Sequence, residues 1–281
     1  MRSRNAADRA NRISAAVVAL LASTALLAVS AGPASAAGTG PYDAEYTTTL
    51  RLYDHTVYRP ADLPENERLP IVVWGNGGCL ADGTMFENFL LEIASRGFLV
   101  IANGRPGGSG GTDADMLTEA IDWAVEEDDR LFSPYRGHLD TDSVAVMGQS
   151  CGGIEAYEAS DDERVDTTVL WNSGMLSDLD NWRLRRLHAP IAYFTGGPDD
   201  IAHENALDDW DRIPSGLPAF LGSLDVGHTG TFGEPDGGEY GRVGALWLKW
   251  RLKGDEQAGQ AFTGSDCGLC STEWEIEQRN L

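Results

Sequence analysis

Two serines in this chain stand in a Gly-x-Ser-x-Gly pattern, Ser150 in Gly148-Gln-Ser-Cys-Gly152 and Ser109 in Gly107-Gly-Ser-Gly-Gly111. That pattern suits nucleophilic chemistry at the corner between a strand and a helix. A serine hydroxyl that attacks a carbonyl must stand clear of the backbone on a strained turn, and flanking side chains would collide there with the strand and the helix. The helix that follows aims its first amides at the spot where negative charge develops. Context separates the two serines. Ser150 lies three residues beyond the apolar run Val144-Ala-Val-Met147, directly before an Ala/Ile/Tyr segment that reads as a helix. Ser109 sits beyond Arg105-Pro106 in a glycine-rich stretch and reads as a loop hydroxyl. Ser150 is the expected nucleophile.

A serine needs a base, and the chain has five histidines: His55, His138, His188, His203 and His228. Where the serine comes first along such a chain, the acid follows it and the histidine comes last. His228, in Leu224-Asp-Val-Gly-His-Thr-Gly-Thr231, follows the last expected strand of the core sheet in a glycine-flanked loop. It is the expected base, with His203 as the fallback. His188 precedes a strand, on the wrong edge, while His55 and His138 precede Ser150. The acid should follow the penultimate strand. Gly197-Pro-Asp-Asp200 supplies two candidates. Asp200 is favoured, because Gly-x-x-Asp places it where a turn meets the next segment; Asp199 could instead cap the following helix.

An acyl-transfer oxyanion needs two amide donors. One is the N–H of Cys151, directly after the nucleophile. The other should come from the loop after an earlier strand, Val72-Val-Trp-Gly-Asn-Gly-Gly-Cys79, bare enough for close backbone approach. Gly78 is the first choice there and Asn76 the second. A tight turn or a phosphate cradle is the other reading of this glycine cluster, but no Gly-Lys-Ser/Thr follows, so it is not a P-loop.

The cysteines are Cys79, Cys151, Cys267 and Cys270, an even count that three connectivities could pair. Two amides that share one oxyanion must be close, so Cys79 and Cys151, which adjoin or carry them, should be neighbours. A Cys79–Cys151 bridge is therefore expected, with Cys267–Cys270 as a small structural clip. The alternative is a compact buried thiol at 151 and a free thiol at 79. Cys267-Gly-Leu-Cys270 could also be a redox pair or half a metal site. It lacks a second cysteine pair and a preceding thioredoxin-like strand.

The elements that must position these residues follow from periodicity. Residues 44–58 alternate apolar and polar and read as an antiparallel pair. Leu69 to Trp74 is a buried strand, 84–96 a helix ended by Gly97, and Phe98 to Ala102 a strand. Asp113 to Glu127 is an amphipathic helix capped by Thr112 or Asp113. The strand and helix around Ser150 come next. Further strands are Thr167 to Trp171, Ile191 to Phe194 and Ala219 to Leu224, the last expected. Tyr240 to Lys253 closes as a helix with Val243, Leu246, Trp247 and Trp250 on one face. Strands alternating with helices predict an α/β protein: a mostly parallel sheet covered on both faces, with ligands at the carboxyl ends of its strands.

Residues 1–36 read as a secretory leader: four arginines, an uncharged Ala/Leu/Val run from Ile13 to Val29, then Ala34-Ser-Ala36. A membrane anchor is the other reading of that run. The remaining 37–281, 245 residues, suits one α/β domain. The leader holds four of the 21 basic and one of the 44 acidic residues, leaving 17 against 43, a net charge of −26. Such acidity argues against nucleic acid and anionic membranes as partners. The pattern calls for no cofactor or metal, no stable membrane association, and a monomer acting on its own substrate.

From about Leu69 to Phe262 the chain resembles the α/β-hydrolase fold. Within it, the chain looks like the secreted cutinase-like polyester hydrolases and the related chlorophyllase- and dienelactone-hydrolase-like esterases. The resemblance rests on Gly148-Gln-Ser-Cys-Gly152, Gly196-Gly-Pro-Asp-Asp-Ile-Ala202, Gly227-His-Thr-Gly230 and the Trp-rich closing helix. It implies a single-domain architecture with no large lid, and an ester substrate, small or polymeric. It also implies that Trp171, at the end of the strand after the nucleophile, lines the acyl cleft; a core tryptophan is the other reading. The expected function is hydrolysis of carboxylic esters. A peptidase or amidase on the same residues, and a binding protein that merely keeps the fold, are the alternatives.

Overall fold

The computed structural model describes residues 37–281. The expected leader and its cleavage site lie outside the described residues. Nine strands form one sheet: β1 (Ala44–Thr49), β2 (Leu52–Pro60), β3 (Leu69–Gly75), β4 (Leu99–Asn103), β5 (Leu139–Gln149), β6 (Val165–Trp171), β7 (Ile191–Thr195), β8 (Ala219–Ser223) and β9 (Glu275–Arg279). Their order is β1-β2-β4-β3-β5-β6-β7-β8-β9. The six strands from β4 across to β8 run parallel, while β1, β2 and β9 pair antiparallel at the two edges.

The helices are α1 (Glu87–Ser95), α2 (Ala114–Asp129), α3 (Cys151–Ala159), α4 (His203–Arg212), α5 (Gly238–Lys253) and the short α6 (Glu256–Gly259). Parallel strands buried on both faces need continuous apolar runs, and β3, Leu-Pro-Ile-Val-Val-Trp-Gly, is buried at every position. Alternate residues feed two cores. Val72 and Trp74 join Phe89 of α1 with Val243 and Trp247 of α5; Ile71 and Val73 join Leu117 of α2, Tyr157 of α3 and Trp210 of α4. Asp113 caps α2 by accepting from the Met116 amide at 3.3 Å, which settles the choice between it and Thr112.

The last strand expected from sequence was Ala219 to Leu224; β9 is an addition. It carries one aliphatic residue, Ile276, and none of its residues is buried. An edge strand is held by the ladder to its one neighbour and needs no apolar alternation, so hydropathy gave no signal for it.

The chain reverses its direction of growth at β3, with β4 on one side and β5 on the other. In open α/β sheets the crevice beyond the carboxyl ends at such a reversal is where ligands bind. Gly75 and Gly148 lie side by side there, at the ends of β3 and β5. Between β6 and β7 only two single 3-10 turns intervene, Asp178–Asp180 and Leu184–Arg186.

Candidate active site

Ser150 occupies the turn between β5 and α3 with φ 53° and ψ −119°. A non-glycine residue held there is strained, and three contacts hold it. Its N–H donates to the Trp171 carbonyl at 3.0 Å. Its carbonyl accepts from the Gly153 amide at 2.9 Å and from the Ser173 hydroxyl at 2.7 Å. The flanking glycines are there for close approach. A Cβ on Gly148 would run into the Gly152 carbonyl, and one on Gly152 would strike the Gly75 backbone. Ser109 is exposed, on the loop after β4.

His228 stands beside Ser150. The Ser150 hydroxyl donates to His228 Nε2 at 3.0 Å, and His228 Nδ1–H donates to Asp200 Oδ1 at 2.6 Å. The tautomer follows from the partner, since an ionised carboxylate only accepts, leaving the Nε2 lone pair free for the serine proton. Asp200 is 3% exposed. Burial works against its charge, yet donors on both oxygens outweigh it: Ala202 N–H at 3.0 Å with His228 on Oδ1, Gly196 N–H and Asn172 Nδ2 at 2.9 Å each on Oδ2. Together they hold the carboxyl below the ordinary aspartate value.

Local sequence explains both loops. Asp200 N–H bonds the Gly197 carbonyl at 2.9 Å, closing the Gly-x-x-Asp turn. The His228 loop is laced to the neighbouring strand end by Gly227 N–H on the Gly196 carbonyl at 2.7 Å. Asp199 is exposed, and α4 is preceded by Ala202 with no side-chain cap, so Asp199 does not cap it. His203 bonds Thr195 Oγ1 at 3.1 Å, away from Ser150. His55 and His138 donate to backbone carbonyls of Met116 and Pro64, and His188 is exposed before β7.

Two disulfides are present, Cys79–Cys151 and Cys267–Cys270, with Cα separations of 5.2 and 5.1 Å. The first ties the loop after β3 to the first residue of α3. Gly78 (φ 65°) and Cys79 (φ 48°) both take left-handed conformations on that loop. Among the described residues neither Gly78 N–H nor Cys151 N–H donates to a protein acceptor. Asn76, the second choice for that donor, shapes the loop through its side chain. Its fully buried side chain donates to the carbonyls of Leu80, Asp82 and Asn103 and accepts from Trp74 Nε1, which fixes the course of the loop.

Beside Ser150 and His228 lies an open cleft of about 440 Å³ whose apolar walls are Leu80, Met85, Phe86 and Phe232, with Gly77 and Gly78 at its rim. No charged side chain lines it. Trp171 is a correction. It is fully buried, stacked on Phe194 at 4.4 Å and edge-on to Phe89 at 5.2 Å, so it belongs to the core and reaches the cleft only by backing Phe232. Phe232 stands between Trp171 and the second aromatic wall, its ring 5.8 Å from Trp171 and 4.8 Å from Phe86.

Sequence reasoning passed over Gln149 and Ser173. Gln149 Nε2 donates to the His228 carbonyl at 3.0 Å, and its other amide atom lies against Gly77. It thus spans from the His228 loop to the loop after β3. A polar residue at the second position of Gly-x-Ser-x-Gly was a visible signal; its partners were not.

Among the described residues no group of three or more His, Cys, Asp or Glu is placed to hold a metal ion. None of the described helices is long and apolar enough to cross a membrane. Compared with known proteins, the chain matches no family model and no curated protein.

Proposed function

We propose that this protein is an exported serine hydrolase of the α/β-hydrolase fold that cleaves neutral carboxylic esters. The observation that carries the reading is the unbroken relay Ser150 Oγ–His228–Asp200, at 3.0 and 2.6 Å, in the crevice where the sheet reverses. Ser150 Oγ attacks the ester carbonyl while His228 Nε2 takes its proton. The imidazolium so formed is stabilised by Asp200. The amides of Cys151 and Gly78 receive the oxyanion. Collapse expels the alcohol, which takes the proton back from His228 Nε2, and leaves an acyl-serine. Water then repeats the cycle: His228 removes its proton, the acid leaves, and the proton returns to Ser150.

The cleft supports a neutral, apolar acyl group, because burying an unpaired charge against Leu80, Phe86 and Phe232 would be costly. Leu80 and Met85 are 48% and 39% exposed, so the wall is open along one side. That is room for a chain extending beyond the cleft, and polyesters are included in the proposed class. The two disulfides suit an oxidising compartment.

The testing experiment sets p-nitrophenyl esters of increasing acyl length and a polyester film against the matching p-nitroanilides. Short and medium esters are expected to turn over and the anilides to lag far behind. Comparable anilide turnover would make the protein an amidase, and inertness toward both would leave a binding protein.

A second expectation concerns the Cys79–Cys151 bridge. It closes a span of 72 residues, for which chain entropy accounts for about 4 kcal/mol. Ordinary domains have about 5–15 kcal/mol in hand, so the reduced protein should stay folded at 25 °C. The loop carrying Gly78 would no longer be pinned to Cys151, and losing one oxyanion donor costs on the order of 100-fold in turnover. Reducing and alkylating a Cys267→Ser/Cys270→Ser protein isolates the first bridge. Turnover should fall about 100-fold with the circular dichroism unchanged; a loss that only tracks unfolding would remove the bridge from catalysis.

A further inference from the structure

Asn172 follows β6, the strand between those that deliver Ser150 and Asp200, and its side chain is fully buried. Its Nδ2 donates to Asp200 Oδ2 at 2.9 Å, to the Gly227 carbonyl at 3.2 Å and to the Tyr240 hydroxyl at 3.2 Å. Its own N–H is tied to the Phe194 carbonyl at 2.7 Å, so the residue is anchored to β7 as well. A carboxylate and a carbonyl only accept, so the nitrogen and not the oxygen of the amide must face them. Gly227 immediately precedes His228. One amide group therefore grips the triad acid and the backbone that carries the base.

Two features of Asn172 work against stability. Its φ is 46°, in the left-handed region that side chains other than Asn, Asp and Gly rarely adopt. Its Oδ1 is buried without a partner, a state that is destabilising for any buried polar atom. Neither improves packing, and what the position gains is the three-way contact of Nδ2.

We propose that Asn172 is the positioning residue of this site, setting Asp200 Oδ1 against His228 Nδ1 by holding the opposite carboxylate oxygen and the Gly227 carbonyl at a fixed separation. The structural part of this inference stands by itself, and its kinetic consequence rests on the ester-hydrolase reading.

The groups that face Asn172 are Asp200, with His228 beyond it, and Tyr240. Asn172→Gly keeps the backbone conformation and deletes the amide. Asn172→Asp keeps shape and conformation but sets a second carboxyl against Asp200 Oδ2. Two carboxylates so placed share a proton, and when both ionise the added negative charge favours the imidazolium. The base then stays protonated to higher pH, so the acidic limb of kcat/KM moves upward.

The test measures two things on the full chain: the low-field proton resonance of His228 Nδ1–H, and the pH profile of p-nitrophenyl butyrate hydrolysis. Both variants should displace or broaden that resonance. They should lower kcat about 10- to 100-fold, the usual cost of losing a partner that orients a functional group, with KM little changed. Asn172→Asp should move the acidic limb up by about one pH unit. A resonance identical to the parent's in both variants overturns the inference whatever the activity. A changed resonance in a protein that hydrolyses no ester upholds the positioning role and sinks the ester-hydrolase reading instead. Lower activity in proportion to lost folded protein, with the limb and the resonance unmoved, reduces Asn172 to a structural residue and overturns the inference.

Discussion

Replacing Ser150 with alanine is expected to abolish ester hydrolysis, a loss on the order of a million-fold in turnover, the scale on which removal of a triad nucleophile acts. Ser109→Ala should keep most of the parent activity. The two serines share a sequence pattern, so the contrast isolates what geometry adds. Ser150 has a histidine 3.0 Å from its Oγ, a helix starting at the next residue and an apolar cleft beside it. Ser109 lies exposed on the loop after β4, beyond Arg105 and Pro106. The loss at Ser150 should come without a loss of fold, because the contacts that hold the turn are made by its backbone. A fluorophosphonate probe followed by peptide mapping checks the assignment directly. Labelling of Ser109, or undiminished hydrolysis by Ser150→Ala, would refute it.

Asp200→Asn is expected to lower kcat by about 10⁴-fold with KM nearly unchanged. The amide fits the space and fails on hydrogen bonding in either orientation. With its nitrogen at the Oδ1 position it donates to His228 Nδ1, forcing the proton onto Nε2, where it faces the serine and cannot accept from it. With its nitrogen at the Oδ2 position it meets two donors already there, Gly196 N–H and Asn172 Nδ2. The same substitution carries a pH signature. The Asp200 carboxyl lies below its ordinary value in the folded protein, its hydrogen-bond donors overcoming burial. Its charge therefore contributes stability that is fully present above the unfolded-state value of about 4 and is lost as pH falls through the folded-state value. The parent should lose that contribution on acidification, and Asp200→Asn has none to lose. Urea unfolding of both proteins from pH 7 downward measures the difference; parallel losses would place the acid sensitivity elsewhere, and a kcat within tenfold of the parent would displace Asp200 from the relay.

Much of this site was legible in the sequence because its chemistry leaves local marks. Gly148 and Gly152 are glycines because backbone passes within contact distance of each, and that need shows as a five-residue pattern. Ser150, Asp200 and His228 appear in the order in which successive parallel strands present their carboxyl ends. Five histidines were few enough for position along the chain to single out one. The Cys79–Cys151 pairing followed from placing both neighbours on one oxyanion.

Only the tertiary structure decided the rest. Asn172, Gln149 and Ser173 carry no pattern of their own; each matters through a partner 23 to 79 residues away, and such contacts depend on how strand register and loop course converge. The cleft wall is built by Leu80, Met85 and Phe86 from one loop and Phe232 from another, while Trp171 lies one layer beneath. Apolar residues at the end of a strand look alike in sequence, whether they face substrate or core, because hydropathy records that a side chain avoids water and not which surface covers it. β9 was invisible for the related reason that an edge strand is selected by its neighbour's free backbone groups rather than by its own side chains.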